Sequence, residues 1–179
     1  MGIPEMYKQP IFEKIAVMKV WMTFLLALAG FTIQAQTYKL EGNEVKIDMP
    51  ISFKTGTAEL RPESDAALQV IKKYLDDKSY ISLLRVEAHT DAQPFEAAGQ
   101  ALTAQRALAV CRRLVELGVD CKRLIPVGFG STKPVAVNDT EEGRKANRRI
   151  SFFNVALRGH AIGGLPADGG GKVAGDPCE

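Results

Sequence analysis

The sequence predicts an α+β domain with helices packed on one mixed four-stranded sheet. Two observations lead there. Segments with a two-residue apolar period alternate with segments of helical period. Their order is β-α-β-α-β-α-β, which builds a two-layer sandwich.

The first strand is expected over residues 45–53, where Val45, Ile47, Met49, Ile51 and Phe53 alternate with polar neighbours. Pro50 has no N–H to donate and places this strand at a sheet edge or bulge. Lys54-Thr55-Gly56-Thr57 forms a turn. A helix follows, with Pro62 in its first turn, Glu63 and Asp65 facing the positive end of its dipole, and Ala67, Ile71, Tyr74 and Leu75 on one face. Residues 80–88 read as a strand that sets Leu84, Val86 and Ala88 on one side. A loop through Pro94 and Gly99 leads to a second helix from about Leu102 to Leu117, with Thr103 as N-cap and Gly118 as its stop. Its buried stripe is Ala107, Val110, Cys111, Leu114 and Val115. Residues 124–129 form a third strand. Asp139 and Glu142 have the spacing of a capping box for a short helix, and residues 149–157 make the last strand.

Residues 20–33 carry no charge, follow Met18-Lys19 and precede Gln34-Ala35-Gln36. At about 1.5 Å per residue a helix of that length falls short of a roughly 30 Å bilayer core. It reads as the apolar stretch of a secretory signal peptide cleaved after Ala35, with Met18 as the start; an uncleaved anchor is the rival reading. The expected organisation is residues 1–35 as an upstream extension with signal peptide, 36–158 as the domain and 159–179 as a flexible Gly-rich tail. Export would place the three cysteines in an oxidising compartment, where either Cys111 bonds Cys121 or Cys111 is a buried core thiol, leaving Cys178 as the odd thiol.

Composition excludes several functions. The 179 residues are 46% hydrophobic and 25% charged, enough for a real core, and the net charge of +2 lacks the basic excess of a nucleic-acid binder. His89 and Asp91 invite a catalytic triad, but no Gly-x-Ser-x-Gly elbow supplies the nucleophile. His89, His160 and the scattered cysteines lack metal-ligand spacing, and the Gly128-Phe129-Gly130 pair lacks the third glycine of a dinucleotide fingerprint. The expectation is a binding protein with no cofactor and no metal.

Arg106 would stand three residues after the N-cap Thr103, where a helix dipole disfavours a cation. Rules of local propensity are broken most usefully at functional sites, and a guanidinium beside free N–H groups would hold a carboxylate. Asp91 ends a strand just before this helix. A carboxylate next to a guanidinium can hold a zwitterion such as the free end of a diamino-diacid. The same spacing also fits a plain Asp91–Arg106 salt bridge or a solvated Arg106.

Five motifs then stand in order over residues 45–155. They are Phe53-Lys54-Thr55-Gly56-Thr57-Ala58-Glu59-Leu60, His89-Thr90-Asp91, Leu102-Thr103-Ala104-Gln105-Arg106-Ala107, Val127-Gly128-Phe129-Gly130 with Pro134, and Gly143-Arg144-Lys145-Ala146-Asn147-Arg148-Arg149-Ile150. The chain thereby resembles the OmpA-like family of peptidoglycan-associated domains. Ala88, where the family usually has glycine, and Gly99, where it often has asparagine, depart from the pattern. The resemblance implies non-covalent binding of the meso-diaminopimelate of peptidoglycan stem peptides, with Asp91 on the ammonium and Arg106 on the carboxylate. It further implies supporting roles for Thr55, Gly56, Thr90, Leu102, Thr103, Asn147 and Arg148. Location would be periplasmic, wall-associated and near the outer membrane. The alternative is a protein-interaction module of an envelope complex such as a motor or secretion machine.

Overall fold

Apolar side chains at period two and period 3.6 meet on one side of a mixed sheet. The computed structural model describes residues 38–92, 95–163 and 169–179. The signal peptide and the proposed Met18 start lie outside the described residues. The strands are β1 (Tyr38–Glu41), β2 (Glu44–Ile47), β3 (Ile81–His89), β4 (Leu124–Gly130), β5 (Ile150–Leu157), β6 (His160–Ala161) and β7 (Lys172–Val173). The helices are α1 (Asp65–Asp77), α2 (Glu96–Glu116) and α3 (Glu141–Asn147); one 3-10 turn, Pro62–Ser64, leads into α1 and another, Cys121–Arg123, precedes β4. The sheet runs β1-β2-β5-β3-β4-β7, with β6 added to β5. β3 is central, antiparallel to β5 and parallel to β4. The four strands expected from the sequence are β2, β3, β4 and β5. The short β1, β6 and β7 raise the total among the described residues to seven.

The strand expected over 45–53 ends at Ile47. Pro50 stops the ladder, and the chain re-forms a small hairpin in which Phe53 pairs with Leu60. Lys54 N–H to Glu59 O (2.9 Å) and Thr57 N–H to Lys54 O (3.1 Å) close its turn, and Gly56 takes the left-handed conformation there with φ of 71°.

α1 and α2 bury their apolar stripes on β3. Leu68, Ile71 and Leu75 of α1 meet Val110, Cys111 and Leu114 of α2 over Leu84, Val86 and Ala88. Each large aliphatic side chain buried this way contributes roughly 1.5–3 kcal/mol. Tyr74 reaches the same core and donates its hydroxyl to Asn154 Oδ1 at 2.9 Å, so the phenol is buried with its polar tip satisfied. Gly128 lets α2 touch the sheet: a Cβ there would lie 2.2 Å from the backbone nitrogen of Ala104. At the far end of α2, Gly118 (φ 101°) closes a Schellman arrangement, with Val119 N–H on Leu114 O at 3.0 Å and Gly118 N–H on Val115 O at 2.8 Å.

Two boundaries move. α2 begins at Glu96, with Phe95 as N-cap, so Thr103 lies two turns inside the helix and caps nothing. The apolar period already runs through Phe95, Ala98, Gly99 and Leu102 at helical spacing, which carries the helix back past the expected loop. α3 is capped by Thr140, whose hydroxyl accepts from Gly143 N–H at 3.0 Å, one residue after the expected Asp139.

The cysteines resolve otherwise than through a Cys111–Cys121 bond. Cys121 is bonded to Cys178, with 5.2 Å between Cα atoms, and Cys111 is the buried core thiol whose ionisation burial disfavours. The described part of segment 159–179 is therefore tied to the domain. A tight turn at Arg158 (φ 48°) and Gly159 (φ 81°) folds β6 onto β5. β7 pairs with β4, and Cys178 anchors the end.

Candidate functional site

The C-terminal end of β3, the first turns of α2, the 53–60 hairpin and the residue after α3 converge on one cavity of about 450 Å³. It is lined by Gly56, Thr90, Asp91, Leu102, Arg106 and Arg148, six of the nine residues expected from the sequence, together with Phe95, Ala98 and Gly99. Residues 95, 98, 99, 102 and 106 repeat at three- and four-residue steps, so a single face of α2 forms one wall. The helix side, rather than its N-terminal N–H groups, builds this wall.

Asp91 is 7% exposed. Its Oδ1 accepts from the Thr90 hydroxyl at 3.0 Å, and its Oδ2 accepts from Arg148 at 2.7 Å. Arg148 also reaches Glu141 Oε1 at 2.6 Å, and the two acids hold its guanidinium in the charged form. An ionised carboxylate can accept several donors at once. Arg148 thereby fixes the orientation of the Asp91 carboxylate.

Arg106 makes no ion pair with Asp91. Its Nε donates to Thr57 O at 2.9 Å, and its guanidinium lies over the Phe53 ring, 5.0 Å from the centroid. Burial lowers its pKa, and the nearby Asp91 charge opposes that shift. The plain Asp91–Arg106 salt bridge open at the level of sequence is therefore not what forms. A carboxylate held at one station and a guanidinium held at another leave space for a ligand with both charges.

Thr55 lines an adjoining cleft that shares Gly56, Arg106 and Arg148 with the first. Thr103 and Asn147 are fully buried and line neither cavity; both organise the loops behind the site. Thr103 Oγ1 accepts from Gly130 N–H at 2.9 Å and donates to Gln100 O at 3.0 Å, while Gly130 O holds Thr90 N–H at 2.9 Å. Asn147 accepts from the N–H groups of Val135 (2.8 Å) and Ala136 (3.1 Å) and donates to Ala136 O and Asn138 Oδ1. Asn138 Oδ1 in turn accepts from Ala92 N–H at 3.3 Å, one residue beyond Asp91. Sequence reasoning missed Phe95, which is 77% exposed at the rim, and Phe53 beneath Arg106. The helical period read back from Leu102 would have found Phe95. Phe53 opens the first motif, but no local spacing places its ring beneath Arg106.

A rigid sheet end with a preformed cavity and two separately fixed opposite charges defines a small ligand-binding domain. Residues 52–148 match the OmpA family, and the chain belongs to that family. The chain is 34% identical over 124 residues to outer membrane porin F of Pseudomonas aeruginosa, covering 68% of this chain and 35% of that protein. It is 36% identical over 105 residues to the peptidoglycan-binding protein ArfA of Mycobacterium bovis, covering 58% of this chain and 31% of that one. It therefore spans about a third of the length of these relatives. Among solved structures, the cell wall anchor of the T6SS from Pseudomonas aeruginosa superposes with a TM-score of 0.56 at 27% identity, covering 74% of this chain and 96% of that one.

Proposed function

We propose that this domain binds peptidoglycan non-covalently by seating the free end of a stem-peptide meso-diaminopimelate in the cavity between Asp91 and Arg106. The observation that carries this reading is their placement in one cavity without a salt bridge between them. The ligand ammonium joins Thr90 and Arg148 on the Asp91 carboxylate. The ligand carboxylate takes the Arg106 N–H groups that Thr57 does not use, in a charge-assisted bond of the stronger kind. Leu102 and Ala98 contact the methylene chain, and Phe95 closes the rim. No bond is made or broken, so no catalytic group or cofactor is needed. The names of ArfA and of the cell wall anchor support a wall ligand. On this reading the protein works in the periplasm against the wall, and the outer membrane porin relative supports a position near the outer membrane.

The test is retention of the protein on purified sacculi, with free competitors. Diaminopimelate should displace it, and lysine, which lacks the second carboxylate, should do so poorly. Retention insensitive to both would overturn the reading. The secretion-system relative favours a second role for the same contact, anchoring a larger envelope assembly. A partner that co-purifies after the sacculus is digested would establish that role.

A further inference from the structure

Beside the first cavity lies a cleft of about 380 Å³. Its walls include Lys54, Thr55, His89, Arg106, Arg148 and Arg149, and none of the described residues lining it is acidic. Three guanidiniums gathered in one cleft repel each other unless an anion joins them. Arg148 is compensated by Asp91 and Glu141, and Lys54 pairs with Glu59. Arg106 and Arg149 make no ion pair among the described residues; Arg149 only donates to Lys133 O at 3.2 Å, and its Nη1 is buried without a hydrogen-bond partner. Glu44 and Glu87 act on Arg149 through space. Glu87 is itself engaged, 2.7 Å from Arg85 and 3.2 Å from His89.

His89 is the second, independent sign. It is 3% exposed, stacks on Phe129 with centroids 5.4 Å apart, and lines the cleft. Its Nδ1 has no hydrogen-bond partner among the described residues. A buried polar nitrogen left in this way is costly unless a ligand or water satisfies it.

We infer that this cleft is a second carboxylate subsite, which takes the carboxylate next along the same stem peptide. The inference rests on the diaminopimelate reading of the first cavity. A guanidinium fork suits a carboxylate or a phosphate. The carboxylate is favoured because Gly56, Arg106 and Arg148 belong to both cavities, so one ligand can enter both. The γ-linked D-glutamate that precedes diaminopimelate offers a free α-carboxylate one residue away along the chain. Arg149 would hold it, and the His89 imidazole would lie behind it.

The test compares L-Ala-γ-D-Glu-meso-diaminopimelate with the same peptide amidated at the glutamate α-carboxylate, by calorimetric titration of the full chain. The wild type should bind the acid about tenfold more tightly than the amide, the usual effect of one hydrogen bond to a charged group. Arg149→Gln should bring the two affinities together while still binding the amide. Equal affinities in the wild type would overturn the inference even if the variant did not fold. A preference that survives in Arg149→Gln would also overturn it. Inorganic phosphate that competes with both peptides, with no preference for acid over amide, would overturn it in favour of a phosphate ligand. A wild type that binds neither peptide would instead remove the diaminopimelate reading, and this inference with it.

Discussion

Replacing Arg106 with alanine separates the two roles of that side chain. In the free protein the guanidinium makes one hydrogen bond, to Thr57 O, and lies over Phe53. Losing a typical hydrogen bond costs about 1 kcal/mol. Losing a half-exposed cation–π contact costs about 0.5–1 kcal/mol more. The folded domain should therefore survive with a modestly lower melting temperature. Binding suffers more, because truncating one partner of a hydrogen-bonded charge pair costs roughly 2–5 kcal/mol when the pair is desolvated. Arg106 is only partly buried, so the lower end applies. About 2 kcal/mol corresponds to a roughly 30-fold weaker Kd. Titration with the diaminopimelate tripeptide reads the affinity, and thermal melting reads the fold. A Kd within twofold of wild type in a folded variant would refute the carboxylate role of Arg106.

Three other perturbations should have measurable effects. Thr103→Val strands the buried Gly130 N–H and should lower stability by about 1–3 kcal/mol; peptide affinity should fall with it, because Gly130 O positions Thr90, and melting with titration checks both. Cys178→Ser opens a bridge across a sequence separation of 57 residues and should cost up to roughly 4 kcal/mol on a chain-entropy estimate. Reduction of the wild type should lower its melting temperature equally, and Cys111 should stay unreactive to thiol reagents until unfolding. Burial holds the His89 imidazole below its ordinary 6.5, with Glu87 opposing. The unfolded chain then takes up the proton first, so stability is full above about pH 6.5 and declines as pH falls from there toward the folded value. Glu87 is shifted the same way: burial raises its pKa, but His89 and Arg85 outweigh that and hold it low, so its contribution is lost as pH falls below about 4.5. Melting scans from pH 7.5 to 5.5 should show a smaller loss in His89→Asn than in the wild type, and equal slopes would count against the assignment.

Much of the domain was legible in the sequence because it depends on local periodicity. The alternation of Leu84, Val86 and Ala88, the stripe of Ala107, Val110, Cys111 and Leu114, and the stop at Gly118 each follow from short-range geometry, and all hold in the structure. The motif order marked the family, and with it both Asp91 and Arg106. Local rules also misled. Thr103 has the chemistry of an N-cap, yet the apolar face of α2 extends to Phe95 and tertiary packing keeps those residues helical. Its hydroxyl instead serves Gly130 on a neighbouring strand, 27 residues away, a partner that no helical spacing reveals.

What the sequence determined by itself was the order of the main elements, the core faces, the family and the two charges proposed as the ends of the site, since these are written in spacing and residue type. Only the tertiary structure decided which charges meet. Arg148 holds Asp91 from 57 positions away, Arg106 is held by the Thr57 carbonyl over Phe53, and Cys178 rather than Cys111 bonds Cys121. The physical reason is common to all three. Ion pairs, ring contacts and disulfides depend on distances of a few ångströms between chain segments that are remote in sequence, and those distances exist only once helices and sheet have packed.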